Sequence, residues 1–512
     1  MQRSFLWLLG ILLVAALLRF PYADLQRFES EMVRDITLAH QLDHHLILHG
    51  ILGKESQDAV QQSFGPLYYY LIWISLQIAP TFSSFPLMPY YLTMFLNLLS
   101  ILLCFFFCKR YFGERVALLS TSLYAVSTWM VIHVSNVFTN PNFLPLFVLL
   151  AFFSYYKILV DKKDTYLFLF FVSIAFQLQL HLSALLLLPV YATLFFFRLD
   201  LFSQKRTYVY GALAFLLFVP YLLYLFQHHD LSVFSFIGER YESTYFSNFI
   251  DALGIPTLFV TPYLGTYLLG DTRLFHGFLS QSLYFFITFL LVLFFGASVF
   301  YLLLLARRRF RNQRLLPLLL WLAIPVFLAF IFKKNISPHY LIILLPVPFI
   351  LLGFFFDFLI KRHRFFLYLF LFFVAYHLFF ILFFYSSIAV SGTHGIYGMP
   401  YVHKLAVVDY LHERCSSSCV ISFYPRVDRS FLYLMELRGL LPQARALERL
   451  SDFDCGFLVI DPTSFYSLSR DHLSSEEVSF LQSKSFRNVY SYQIYEESSP
   501  LWKSLKGDSC SA

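Results

Sequence analysis

Long apolar runs separated by short clusters of Lys and Arg decide what this chain can fold into. Runs near 4–20, 86–108, 115–134, 142–159, 165–179, 181–197, 208–226, 281–306, 315–332, 339–360 and 365–388 approach the roughly 17–25 apolar residues that a helix needs to cross a bilayer. Of 512 residues, 58% are hydrophobic and 13% charged. A soluble domain has about a quarter of its residues charged, so lipid must cover much of this surface. The clusters Lys109/Arg110/Arg115, Lys157/Lys162/Lys163, Arg198/Lys205/Arg206, Arg307 to Arg314 and Lys361/Arg362/Arg364 fall between the runs, as cytoplasmic loops do. That placement accounts for the formal net charge of +7 and removes any need for a nucleic-acid partner. The expected fold is an all-α polytopic membrane protein with about eleven transmembrane helices.

The basic clusters also orient the chain. They put 109–115 inside and leave 21–85, the turn 135–141, the loop 227–280 and the tail from about 389 outside. Pro66–Pro80 is apolar, but its 15 residues extend only about 22 Å as a helix, short of the roughly 30 Å hydrocarbon core. It is therefore expected to lie on or dip into the membrane, with the N-terminus cytoplasmic. The first run has a basic start but no small-residue cleavage site before Arg19-Phe20-Pro21, so an uncleaved anchor is expected.

The tail changes character. Short β-like runs at 419–424, 456–461 and 488–495 alternate with helical patterns near 402–413, 427–439 and 474–484. This predicts two domains: 1–390 in the membrane and 391–512 as a small extracytoplasmic α/β domain. Cys415, Cys419, Cys455 and Cys510 lie in that tail, where an oxidising compartment permits disulfides, while Cys104 and Cys108 should stay free.

Five polar segments carry the candidate chemistry. In Glu29-Ser30-Glu31-Met32-Val33-Arg34-Asp35, helical spacing puts Glu31, Arg34 and Asp35 on one face, leaving Met32, Ile36 and Ala39 to meet the bilayer. A carboxylate at a membrane surface can take the proton of an acceptor hydroxyl, and a neighbouring cation can offset charge on a phosphate leaving group. A solvated helix start explains the same charges. Ser63-Phe64-Gly65-Pro66 sets a turn before Tyr68-Tyr69-Tyr70, which reads as an interfacial aromatic belt. Asn140-Pro141 starts a turn at the outer ends of two spans. Gln177, Gln179, His181 and Ser183 interrupt an apolar region, either for function or to hydrogen-bond neighbouring helices. Lys333 and Lys334 fall outside, against the positive-inside trend, beside His339 and Tyr340. They suit an anionic lipid phosphate, although two such lysines are also tolerated without a role. His44, His45 and His49 lack the companions of a zinc site, and no nucleotide-cradling glycine loop is present.

In this order the segments resemble the GT-C glycosyltransferase superfamily, nearest its bacterial protein-mannosyltransferase-like and aminoarabinose-transferase-like branch, over about residues 1–390. The resemblance implies outward-facing transfer from a polyprenyl-phosphate sugar, with interfacial helices in the first loop. It implies Glu31 as the catalytic acid of that loop, where Asp is usual, followed by the Arg34-Asp35 of one subgroup. Asn140 stands where many members have Asp. Phe64-Gly65-Pro66 replaces a Glu-Lys-Pro motif, so the family's metal-binding Glu and phosphate-binding Lys are missing; a divalent metal stays an open question. Lys54, Arg240, Arg273, Lys333 and His339 are the candidates to hold the phosphate instead.

The expected site is thus Glu31, Arg34 and Asp35 for catalysis, with Asn140, Gln179, His181, Lys333, Lys334, His339 and Tyr340 for substrate. The implied donor is a polyprenyl-phosphate sugar, and the acceptor a lipid, glycan or protein. The place is the plasma (inner) membrane. The alternative is a non-catalytic transporter of lipid-linked saccharides or a membrane-assembly protein, whose mark would be charges deep inside the spans; Asp357, near an inner end, is the clearest of few.

Overall fold

The computed structural model describes residues 2–46, 50–52, 62–82, 86–228, 254–262, 281–308, 314–331, 338–391, 399–414, 420–424, 429–440, 443–446, 457–460, 487–489 and 492–496. The chain is a polytopic membrane protein. Six helices among these residues are long and apolar enough to cross a membrane: Ser4–Leu25, Met88–Phe112, Asn140–Leu159, Lys205–Gln227, Ser282–Arg307 and Phe365–Val390. Glu114–Val126 and Trp129–Ser135, bent by 53°, make a seventh if taken as one span.

The expectation of about eleven spans is not met by length, for a local reason. Asp164–Leu180, Leu182–Phe197 and Leu316–Ile331 are helices, but short ones. The first two are parted by His181, whose extended backbone (φ −160°, ψ 138°) stops one helix while its ring accepts the Ser183 amide at the start of the next. The run expected at 339–360 divides into a tight turn of helix at Pro338–Leu344 and a helix at Pro346–Arg362. Leu67–Phe82, expected to lie on the membrane, is a helix of 16 residues, about 24 Å long.

Two compact units divide the chain. One comprises 1–23, 35–264 and 282–381; the other comprises 24–34, 265–281 and 382–512.

The first unit is a helical bundle with an aromatic core. Trp321 stacks on Phe152 at 3.6 Å between ring centres, and its indole N–H donates to the Ile343 carbonyl at 3.0 Å. Helices Glu114–Val126 and Pro346–Arg362 approach at Gly353, where an added Cβ would lie 2.9 Å from the Ser120 amide nitrogen; small residues let membrane helices approach in this way. The basic clusters at 109–115, 157–163 and 198–206 are paired with acids. Asp161 accepts from Lys157 at 3.1 Å and Arg110 at 3.2 Å, and Arg198 bridges Asp164 and Asp200. Cys104 and Cys108 are buried and free, as expected.

In the second unit a five-stranded sheet is ordered β2-β1-β3-β5-β4, where β1 is Val420–Tyr424, β2 Gln443–Ala446, β3 Phe457–Ile460, β4 Arg487–Val489 and β5 Tyr492–Glu496. β1 pairs in parallel with β2 and β3; β5 pairs antiparallel with β3 and β4. Helix Arg429–Leu437 lies between β1 and β2 in sequence, the helical crossover that a parallel pair needs. Helix Tyr401–Arg414 precedes the sheet, and the His403 ring bonds the Ala389 carbonyl at 3.1 Å, tying it to the end of helix Phe365–Ser391. The tail cysteines Cys415, Cys419, Cys455 and Cys510 and the helix expected at 474–484 lie outside the described residues.

Candidate functional site

The acidic motif of the first loop folds as expected, into a helix at Ser30–His40. Glu31, Arg34 and Asp35 therefore sit at i, i+3 and i+4, and the boundary between the two units falls between Arg34 and Asp35. One expectation is corrected. Met32 (2% exposed), Ile36 and Ala39 (both 0%) are covered by protein rather than presented to lipid.

The three carboxylates of this motif have different surroundings. Glu29 is ion-paired with Arg27. Asp35 is buried and accepts hydrogen bonds from the Tyr68 hydroxyl at 3.1 Å and the Tyr69 hydroxyl at 3.3 Å. Glu31 is half-buried and has no ion pair or hydrogen bond among the described residues. A carboxylate whose lone pairs are not already engaged is the one able to accept a proton.

Tyr68 and Tyr69 are the residues that sequence reasoning undervalued. Both are 1% exposed. They pack edge to face with each other, and Tyr68 packs in the same way on Phe143 beside the Asn140-Pro141 turn. The Tyr68 hydroxyl lies 3.4 Å from the Phe138 carbonyl as well. Further along, Asp43 accepts from the Trp73 indole at 2.8 Å and from Gln77 at 3.0 Å. The Trp73 bond holds the Asp43 carboxyl below the usual carboxylate range. The first loop is thus pinned to helix Leu67–Phe82 at two acids.

The other polar segments converge within the first unit. Asn140 donates through Nδ2 to the Leu180 carbonyl at 2.9 Å, and Gln179 donates to the Leu217 carbonyl at 2.9 Å. Gly65 lies against Gln179 so closely that an added Cβ would be 2.7 Å from its Cγ and 2.8 Å from its Cα. The His181 ring stands 6.2 Å from that of His339 and 5.6 Å from that of Tyr340, while His339 and Tyr340 are 4.3 Å apart. His181 is buried and bonds the Ser183 hydroxyl at 2.8 Å; His339 and Tyr340 are partly exposed. Asn140, Gln179, His181, His339, Tyr340 and Gly65 thus form one polar neighbourhood. Lys54, His49, Arg240, Arg273, Lys333 and Lys334 lie outside the described residues.

Arg19 was a further omission. It is fully buried, with Nε donating to the Ser135 hydroxyl at 2.9 Å and both terminal nitrogens reaching the Ala125 carbonyl at 3.2 Å. That carbonyl lies at the bend after Val126, where the helix can no longer satisfy it.

Among the described residues no three His, Cys, Asp or Glu side chains come together as a metal site. Phe64 and Gly65 offer no ligand where the resembling enzymes have Glu and Lys, and Gly65 has no room for a side chain. Among the described residues, this segment therefore offers no ligands for the metal of the resembling enzymes.

Residues 63–224 match the family described as Dolichyl-phosphate-mannose-protein mannosyltransferase. That stretch takes in Gly65, Tyr68, Tyr69, Asn140, Gln179 and His181, and excludes Glu31 and His339. No curated protein matches the sequence. The fold is similar to that of ArnT from Cupriavidus metallidurans, crystallised with undecaprenyl phosphate, at TM-score 0.55 and 12% identity over 96% of this chain and 97% of that one. The oligosaccharyltransferase of Archaeoglobus fulgidus, in complex with zinc and sulfate, aligns at TM-score 0.48 and 12% identity over 89% of this chain and 67% of that one.

Proposed function

We propose, from the match of residues 63–224 to the dolichyl-phosphate-mannose-protein mannosyltransferase family and the likeness in fold to ArnT, that the chain moves a sugar from a polyprenyl-phosphate donor to an acceptor hydroxyl. Glu31 is the general base. It takes the acceptor's proton as the acceptor oxygen bonds the anomeric carbon and the bond from that carbon to the phosphate oxygen breaks. Polyprenyl phosphate leaves with the bonding pair. The observation that carries the reading is the difference among three neighbouring acids: Arg27 occupies Glu29, two tyrosines occupy Asp35, and Glu31 is left for the proton.

The donor's phosphate needs a cation or neutral donors. Lys333 and Lys334 precede His339 and Tyr340 in sequence, and His339 and Tyr340 stand beside His181. We assign phosphate binding to this group. Replacing both lysines by Ala should raise the donor KM; unchanged donor affinity would leave them as surface charges.

The reading places the transfer on the extracytoplasmic face of a plasma (inner) membrane. The antiparallel bridge between Arg27 and Pro400 supports a first loop and tail on one side of the membrane. The basic clusters favour the outer side for both. Eleven crossings then require the short helices to span as well, with their tight-turn extensions adding length. A topology reporter fused after Ala512 that is active only in the cytoplasm would contradict this orientation.

The test of function is direct. Purified protein in liposomes is given undecaprenyl-phosphate mannose or undecaprenyl-phosphate aminoarabinose with membrane extract as acceptor. The reading expects release of undecaprenyl phosphate with one of them. Binding without release from either would favour a carrier of lipid-linked saccharide.

A further inference from the structure

The tail reaches back to the first loop. Residues 24–34 and 382–512 share one compact unit, and the contacts joining them are ordered along the chain. The Tyr401 amide donates to the Gln26 carbonyl at 2.8 Å, and Arg27 pairs with Pro400 as an antiparallel bridge. Phe28 is completely buried, edge-on to the Tyr401 ring at 5.4 Å and 6.3 Å from the Tyr433 ring. The Arg429 amide donates to the Ser30 hydroxyl, 399 positions away, at 3.2 Å. Ser30 opens the helix that carries Glu31. The tail therefore holds the backbone at Gln26 and Arg27, the ring of Phe28 and the hydroxyl of Ser30, the first residue of that helix.

The tail is itself anchored. His403 bonds the Ala389 carbonyl at the end of the last span, and the buried Lys404 donates to the Ser430 hydroxyl at 2.8 Å, joining the two tail helices. A continuous set of bonds thus runs from the end of helix Phe365–Ser391 through the tail to Ser30.

We propose that the C-terminal domain is a positioning element for the first-loop base: the Tyr401 and Tyr433 rings, gripping Phe28, fix the start of the helix that presents Glu31. This rests on the assignment of Glu31 as the base. A catalytic group displaced by about 1 Å loses about 10²-fold in rate, so a grip remote from the chemistry controls turnover. A purely structural contact would affect only how much protein folds.

The experiment compares Tyr401→Ala/Tyr433→Ala with Tyr401→Phe, in liposomes, with the same two undecaprenyl-phosphate sugars. The alanine pair should lower kcat by about 10²-fold, with the affinity for undecaprenyl phosphate unchanged. Tyr401→Phe keeps the ring and should transfer as wild type does. Hydrogen exchange supplies a readout that needs no activity: amides of residues 28–34 should exchange faster in the alanine pair and not in Tyr401→Phe. If the alanine pair does not fold, Phe28→Leu decides. It keeps most of the apolar volume but loses the ring contacts, and should lower kcat in protein that still folds, with only a small fall in melting midpoint. Wild-type kcat in the folded variant, or unchanged exchange over 28–34, overturns the proposal. A wild-type protein that transfers neither sugar while exchange still responds overturns the transferase reading instead, and with it the catalytic meaning of the contact.

Discussion

Gly65→Ala tests the packing of the polar neighbourhood with a single methyl group. The added carbon would sit 2.8 Å from the Gln179 Cα and Cβ and 2.7 Å from its Cγ, about 0.7 Å inside a normal carbon–carbon contact. The Gln179 side chain cannot simply turn away, because its own Cα is one of the three atoms. Nor is that backbone loose. The His181 amide bonds the Gln177 carbonyl at 3.0 Å, Asn140 bonds the Leu180 carbonyl, and Gln179 bonds Leu217. Overpacking of this kind costs about 1–3 kcal/mol. The expected result is a fall of a few degrees in apparent melting midpoint and slower transfer, since His181 lies two residues beyond the clash. Gly296→Ala is the control: it lies within helix Gln281–Arg308, and nothing is within 4 Å of its added Cβ. In a helix interior Ala is favoured over Gly by up to about 1 kcal/mol, so that variant should melt at or above wild type. Thermal scans of purified protein and the liposome transfer assay measure both. If Gly65→Ala melts and transfers like Gly296→Ala, the close approach does not exist and the convergence of these segments is wrong.

Two further outcomes follow from the same geometry. Asp35→Ala removes the acceptor of two buried phenols and should destabilise by about 1.5–3 kcal/mol; if it melts as wild type does, Asp35 is not the anchor described. Burial holds the His403 ring below its ordinary range, despite an opposing bond to Ala389. The unfolded chain then takes up the proton first as pH falls. Stability should be full above the usual His pKa of about 6.5 and decline as pH drops from there toward the folded value. His403→Gln should flatten that part of the melting profile, and an identical profile would show that His403 does not carry it.

Local pattern was legible in the sequence and long-range partnership was not. The tail strands expected at 419–424 and 456–461 appear at Val420–Tyr424 and Phe457–Ile460, because short β-branched and aromatic runs suit few other conformations, while the run expected at 488–495 divides into an antiparallel pair, Arg487–Val489 and Tyr492–Glu496. The helical face of Glu31, Arg34 and Asp35 followed from spacing alone. The division of labour among the acids did not. Glu29 is paired two residues back, at a distance no helical rule links, and Asp35 is claimed by Tyr68 and Tyr69, more than thirty positions away. The tyrosine run looked like an interfacial belt because that is what such runs do on composition; burial assigns Tyr68 and Tyr69 otherwise. The breaks inside the apolar runs were not legible, because hydropathy does not register an extended residue such as His181 between two helices. Phe28 carried no signal at all, since its partners Tyr401 and Tyr433 come from the far end of the chain.

The central claim is that Glu31, alone among its neighbours, takes the acceptor's proton. The measurement is the rate of undecaprenyl phosphate release by Glu31→Gln and Glu29→Gln in the same liposomes, alongside binding of undecaprenyl phosphate. Gln keeps the size of Glu and cannot accept the proton, so Glu31→Gln should lose about 10²–10⁴-fold in rate while binding stays at the wild-type level. Glu29→Gln breaks only a partly exposed ion pair with Arg27, worth about 0–1 kcal/mol, and should stay within several-fold of wild type. Near-wild-type turnover in Glu31→Gln, with Glu29→Gln inactive, would contradict the account.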